Sequence, residues 1–101
     1  MKIFGLADRD MLMIKHIFQK YPVVRDVRIF GSRSKRTEYA GSDIDLAIMN
    51  SGIEFNDLLR LRSDFDDSGL AYAVDVVYYP ALKHQELKEH IDRAGVIFYQ
   101  A

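Results

Sequence analysis

The stretch GSRSKRTEYAGSDIDLAI, Gly31 to Ile48, begins as a turn and ends as a strand, and the strand-like part carries two aspartates. Ile44, Leu46 and Ile48 alternate with Asp43, Asp45 and Ala47, so one face is apolar and the other bears two carboxylates. Acidic residues are depleted in strands. A strand of this kind must set its apolar face on a core and its acidic face against something that offsets the charge.

A second strand poses the same question. Tyr72 to Tyr79 (YAVDVVYY) is the most β-prone run of the chain, interrupted by Asp75 and ended by Pro80. Ala73, Asp75 and Val77 share one of its faces. If the two strands are neighbours, three carboxylates converge, and two of them ~4 Å apart at an effective dielectric of ~20 repel by ~4 kcal/mol. The strands themselves supply only Arg25 and Arg28 as cations, on faces that alternation leaves open. A divalent cation is the other remedy: Mg²⁺ prefers carboxylates and completes its shell with water and phosphate oxygens. Three carboxylates can hold two such ions, which suits phosphoryl transfer.

Upstream, Gly31 allows a tight turn, and Ser32 can open a short helix whose free N–H groups face an anion. Arg33, Lys35 and Arg36 follow at once. This combination suits a polyphosphate, with the Ser32 hydroxyl as a further donor. Ten residues separate Ser32 from Asp43.

The remaining pattern is that of one α+β domain over residues 1–101. Met11, Ile14, Phe18 and Tyr21 mark a first amphipathic helix that Asp8 or Asp10 can cap and that stops before Pro22. Val23 to Phe30 is β-rich, with Val27 and Ile29 opposite Arg28 and Phe30. Phe55, Leu58, Leu61 and Phe65 predict a second helix closed by Gly69, although Asp64, Asp66 and Asp67 crowd its C-terminal end against the helix dipole. His84, Leu87, Ile91 and Ala94 mark a last helix ending at Gly95, followed by a short apolar tail, Val96 to Tyr99.

Composition excludes several functions. Fourteen Lys and Arg stand against 15 Asp and Glu, so no global basic field recommends direct nucleic-acid binding. Without cysteine there is neither disulfide nor thiolate metal site. No apolar run approaches ~18 residues and the first residues do not read as a signal peptide, so a soluble, cytoplasmic protein is expected. An EF-hand loop from Asp43 fails because Ala47 and Ile48 stand where an oxygen ligand and Gly belong. The segment HQELKEH is not a zinc-binding HExxH, and its histidines read as helix-surface residues. The chain is too short for the sugar-nucleotide folds that use Asp-x-Asp in glycosyl transfer.

Gly31-Ser32, ten residues, Asp43-x-Asp45 and a later Asp75 together resemble the nucleotidyltransferase superfamily that includes DNA polymerase beta. The segments FGSR, SDIDLAI, VDVV and ELKEHIDRAGVIFY are similar to its minimal bacterial and archaeal members. The resemblance implies a small mixed sheet packed with helices, in which Gly31 and Ser32 hold the nucleotide phosphates. It further implies that Asp43 and Asp45 ligate two Mg²⁺ ions, while Asp75 ligates one and helps deprotonate the acceptor. Arg33 would contact a phosphate. Arg36 stands where many relatives have glycine, and either adds a phosphate contact or blocks one.

The implied activity is transfer of a nucleoside monophosphate, AMP from ATP, to an acceptor hydroxyl with release of pyrophosphate. The implied partner is a HEPN-type helical protein in a hetero-oligomer, as in toxin–antitoxin pairs. Two other functions fit the same residues: an antitoxin or regulatory subunit that acts by binding with little turnover, and, more distantly, a metal-dependent phosphohydrolase.

Overall fold

The computed structural model describes residues 3–35 and 43–101. Helix α1, Asp8–Gln19, follows an extended Ala7 and carries Asp8 and Asp10 in its first turn, where acidic side chains favour the positive end of the helix dipole. Neither aspartate is the cap residue. Met11, Ile14, Ile17 and Phe18 form its buried stripe, and Tyr21 lies just beyond its end. Strand β1 is Asp26–Phe30 and β2 is Ile44–Ile48. Helix α2, Phe55–Asp66, follows, with the Glu54 N–H donating to Asp57 Oδ2 at 3.2 Å. Strand β3, Val74–Tyr78, leads through a single 3-10 turn, Tyr79–Ala81, to helix α3, Gln85–Ala94.

Two expectations change here. His84 is the N-cap of α3 rather than a residue of its surface, because its Nδ1 accepts the Leu87 N–H at 3.1 Å. The apolar tail is a strand, β4, Val96–Gln100. A bulge between Val27 and Arg28 on the partner strand shifts the pairing, so Phe98 and Tyr99 are both buried while Val96 and Ile97 are both exposed. That breaks the period-2 pattern by which a sequence announces a strand.

The sheet order is β3-β2-β1-β4, antiparallel except for the parallel pair β2 and β3. α1 and α2 cover one face, where Ile14, Phe18, Leu61 and Phe65 meet Val27, Ile29, Leu46, Ile48 and Val76. Phe18 stands edge-on to Phe65 and stacks on Tyr99, with centroids 5.4 and 5.5 Å apart, a geometry that adds to the area buried. α3 covers the opposite face, where Ile91 meets Phe30 and Ala47. Arg62 of α2 reaches the edge strand β3 and donates to the Val76 carbonyl at 2.9 Å.

The far end of the sheet is tied by Asn50. Its Oδ1 accepts the N–H groups of Arg25 and Asp26, and its Nδ2 donates to the Val23 carbonyl. The opposite end, where β1 stops and β2 begins, is left for the turn at Gly31 and for the acidic residues. Among the described residues no helix is long and apolar enough to cross a membrane.

Candidate active site

Strand pairing builds one row across the sheet: Phe30 of β1 faces Asp45 of β2, and Asp45 faces Asp75 of β3. All three lie on the α3 side, because Ile44, Leu46, Val74 and Val76 take the alternate positions and turn into the core beneath α1 and α2. Asp43 sits just before β2, two residues from Asp45, and is exposed. The three carboxylates expected from the sequence to converge therefore do so at one end of the sheet.

The electrostatics follow from that convergence. The Asp45 carboxyl is pushed above its ordinary pKa, first by partial burial and then by the negative charges of Asp75 and Asp43. Arg33 works in the opposite direction. The cation that eases the acidic row is thus neither of the strand arginines, Arg25 and Arg28, but one from the turn.

That turn is shaped around the carboxylate. Gly31 adopts φ +77°, and a Cβ there would overlap the Asp45 Oδ2 oxygen. Two requirements, a left-handed backbone and the absence of a side chain, thus fall on one residue. Residues 31 to 35 form a hydrogen-bonded turn, with the Ser34 hydroxyl and the Lys35 N–H both donating to the Gly31 carbonyl, at 2.9 and 3.3 Å. Ser32 is half-buried within it.

Arg33 departs from its expected place. It is 1% exposed, its Nη1 donates to the Phe4 carbonyl at 2.7 Å, and its guanidinium lies 4.7 Å from the Tyr72 ring centroid. A side chain so enclosed cannot reach a phosphate in solvent. A planar guanidinium suits such a buried setting, since it can hydrogen-bond along its edge while stacking on an aromatic face. It fastens the turn to the segments before α1 and β3, and its charge acts on Asp45. No pattern in the sequence announces this, because two of its partners are a backbone carbonyl and a tyrosine 39 positions away. Arg36 lies outside the described residues.

The donor set suits a hard divalent cation: three carboxylates, oxygen atoms only, with mutual repulsion that one buried arginine eases but does not cancel. Among the described residues no three acidic or histidine side chains already stand as a metal cage. Mg²⁺ does not need one, since it is usually held by one or two carboxylates together with water and substrate phosphates.

The side of the row next to α3 holds His90, which the sequence placed on the helix surface with no role at the site. The His90 ring stands edge-on to Phe30, centroids 6.0 Å apart, and so lies beside the acidic row.

Comparison with known proteins bears on the same chain segments. The family model described as polymerase beta, nucleotidyltransferase matches residues 13–101. Among solved structures, a toxin–antitoxin crystallised with AMP-PNP superimposes with a TM-score of 0.73 at 20% identity, covering 91% of this chain and 74% of that one. The toxin–antitoxin MntA-HepT gives 0.69 at 16% identity, covering 94% and 74%. A complex of tri-AMPylated Shewanella oneidensis HEPN toxin with MNT antitoxin gives 0.61 at 18%, covering 90% and 73%. At such identities the likeness is one of fold. No curated protein matches the chain significantly.

Proposed function

We propose that this chain, which belongs to the polymerase beta nucleotidyltransferase family, transfers AMP from ATP to a hydroxyl group of a HEPN-type helical protein with which it forms a cytoplasmic hetero-oligomer. The observation that carries the proposal is the row Phe30, Asp45, Asp75 ending beside a left-handed Gly31 whose missing side chain leaves room for the Asp45 carboxylate. The solved neighbours support the choice of nucleotide and partner: one holds AMP-PNP, and another pairs an MNT antitoxin with an AMPylated HEPN toxin.

In this reading the turn at Gly31 and Ser32 receives the triphosphate through backbone N–H groups and the Ser32 hydroxyl. Mg²⁺, when held by Asp43, Asp45 and Asp75, neutralises charge on the phosphates and on the carboxylates alike. Asp75 lies on the edge strand and is exposed, so it is the carboxylate an incoming acceptor meets. The acceptor oxygen bonds to the α-phosphorus as the bond from that phosphorus to the bridging oxygen breaks. The electron pair leaves on pyrophosphate, and the acceptor proton passes to the Asp75 carboxylate. Arg33 does not touch substrate; it fixes the turn and opposes the rise of the Asp45 pKa that burial and the neighbouring carboxylates cause.

The test is to incubate the chain with a HEPN-type protein encoded beside it, ATP and Mg²⁺, and to follow pyrophosphate release together with the partner's mass. The proposal expects stoichiometric pyrophosphate and a mass gain of whole AMP units, both abolished by a double D43N/D45N substitution. Equal modification by that variant would refute it, and consumption of ATP without an acceptor would make the chain a phosphohydrolase.

A further inference from the structure

α3 runs toward the same end of the sheet as the acidic row, because Val96, directly after it, pairs with Ile29 next to the end of β1. Its last two turns therefore flank the turn at Gly31. Three basic residues lie around it: Lys35, whose N–H donates to the Gly31 carbonyl, His90, whose ring faces Phe30 beside Gly31, and Arg93, one turn further along α3. His90 is fixed by its edge-on contact with Phe30. Lys35 and Arg93 are exposed and both act electrostatically on His90.

Each residue has an ordinary explanation alone. Arg93 suits the last turn of a helix, where cations favour the dipole. Lys35 is a solvated loop residue, and His90 covers an aromatic ring. Their grouping is not explained by their own elements, since like charges placed together cost stability unless an anion offsets them. The neighbouring acids of α3 are engaged elsewhere: Glu89 accepts from Gln85 at 3.3 Å, and Asp92 accepts the Tyr79 hydroxyl at 2.7 Å. Partial burial first, and then the charges of Lys35 and Arg93, hold the His90 pKa below its ordinary value.

We propose that Lys35, His90 and Arg93 bind the β- and γ-phosphates of the donor nucleotide and stabilise the pyrophosphate that departs. This rests on the reading of the chain as a nucleotidyltransferase and adds the residues that recognise the part of the substrate that is lost. The geometry divides the nucleotide between two neighbouring features. The acidic row takes the reacting phosphate, and the basic cluster, at the Phe30 end of that row, takes the two that leave. Charge developing on the leaving group then forms beside groups already positive or able to accept a proton.

The probes are AMP-PNP and AMP, each with Mg²⁺, titrated into the wild-type chain and into K35Q, H90Q, R93Q and the triple variant. The two ligands share the nucleoside and the α-phosphate, so their affinity ratio isolates the outer phosphates. Each single substitution is expected to weaken AMP-PNP by about 3- to 10-fold and to leave AMP unchanged. A merely structural role would move both ligands together. K35Q and R93Q change exposed side chains on separate elements, so they remain informative even if H90Q loosens α3; thermal melting without nucleotide identifies that case. Wild-type binding of AMP-PNP with an unchanged ratio in the triple variant would overturn this proposal alone. Failure of the wild type to bind either nucleotide would overturn it together with the function on which it rests.

Discussion

Gly31 and Asp45 constrain each other residue to residue. The backbone turns left-handed where β1 ends, and the space a side chain would fill is taken by a carboxylate from the next strand. That carboxylate is poorly placed for stability, being partly buried and opposite Asp75. Its folded pKa is raised, so the folded state binds the proton more tightly than the unfolded chain, and the metal-free fold loses stability as pH rises from the unfolded value through the folded one. D45N removes that burden. The expected outcome is a metal-free variant more stable by on the order of 0.5–1 kcal/mol at neutral pH, read by thermal or urea melting, that has lost transfer. Equal or lower stability would remove the electrostatic argument. Asp45 and Asp75 were legible from sequence because acids in strands are anomalous in themselves. Arg33 was not, because a buried arginine is spelled like any exposed one until its partners are known.

Among the elements, the ones with clean periodicity were readable and the irregular ones were not. β2 matches its alternation to the residue, whereas β4 was hidden by the bulge that buries Phe98 and Tyr99 in succession. In α2, Phe55 fits the apolar spacing yet is 68% exposed, since the helix begins there, before it crosses the core. The acidic crowding at the end of α2 finds a partial explanation in Tyr21, whose hydroxyl donates to Asp64 at 2.5 Å and ties the segment after α1 to α2. Burial, and then that hydrogen bond, push the Tyr21 phenol up to about 12. The folded state thus keeps a proton that the unfolded chain releases from about pH 10, so this stabilisation is present below pH 10 and lost as pH rises through about 12. Y21F should cost about 1 kcal/mol at neutral pH and flatten the alkaline limb of the stability curve, measured by urea melting from pH 7 to 11. An unchanged midpoint with the same alkaline limb would show that the contact contributes nothing.

Across the whole molecule, a four-stranded sheet with two helices on one face and one on the other leaves a single end where β1 stops and β2 and β3 start. Everything chemically notable gathers there: the acidic row, the Gly31 turn with Arg33 beneath it, and the basic cluster of Lys35, His90 and Arg93. The sequence conveyed that a strand order exists which would unite Asp43, Asp45 and Asp75, but not the parallel pairing that sets Asp45 opposite Asp75. Parallel neighbours are joined through a crossover, here α2, and their register is fixed by packing rather than by a short turn. The basic cluster was illegible for the same reason, since the return of α3 over β1 is what brings His90 within electrostatic reach of Lys35. The central claim, that this end of the sheet breaks ATP between its α- and β-phosphates, is tested most directly by the position of the label. With a HEPN-type partner and Mg²⁺, ATP labelled at the α-phosphate should mark the partner, ATP labelled at the γ-phosphate should not, and D45N should give neither; label arriving from the γ-position, or α-label undiminished in D45N, would contradict the account.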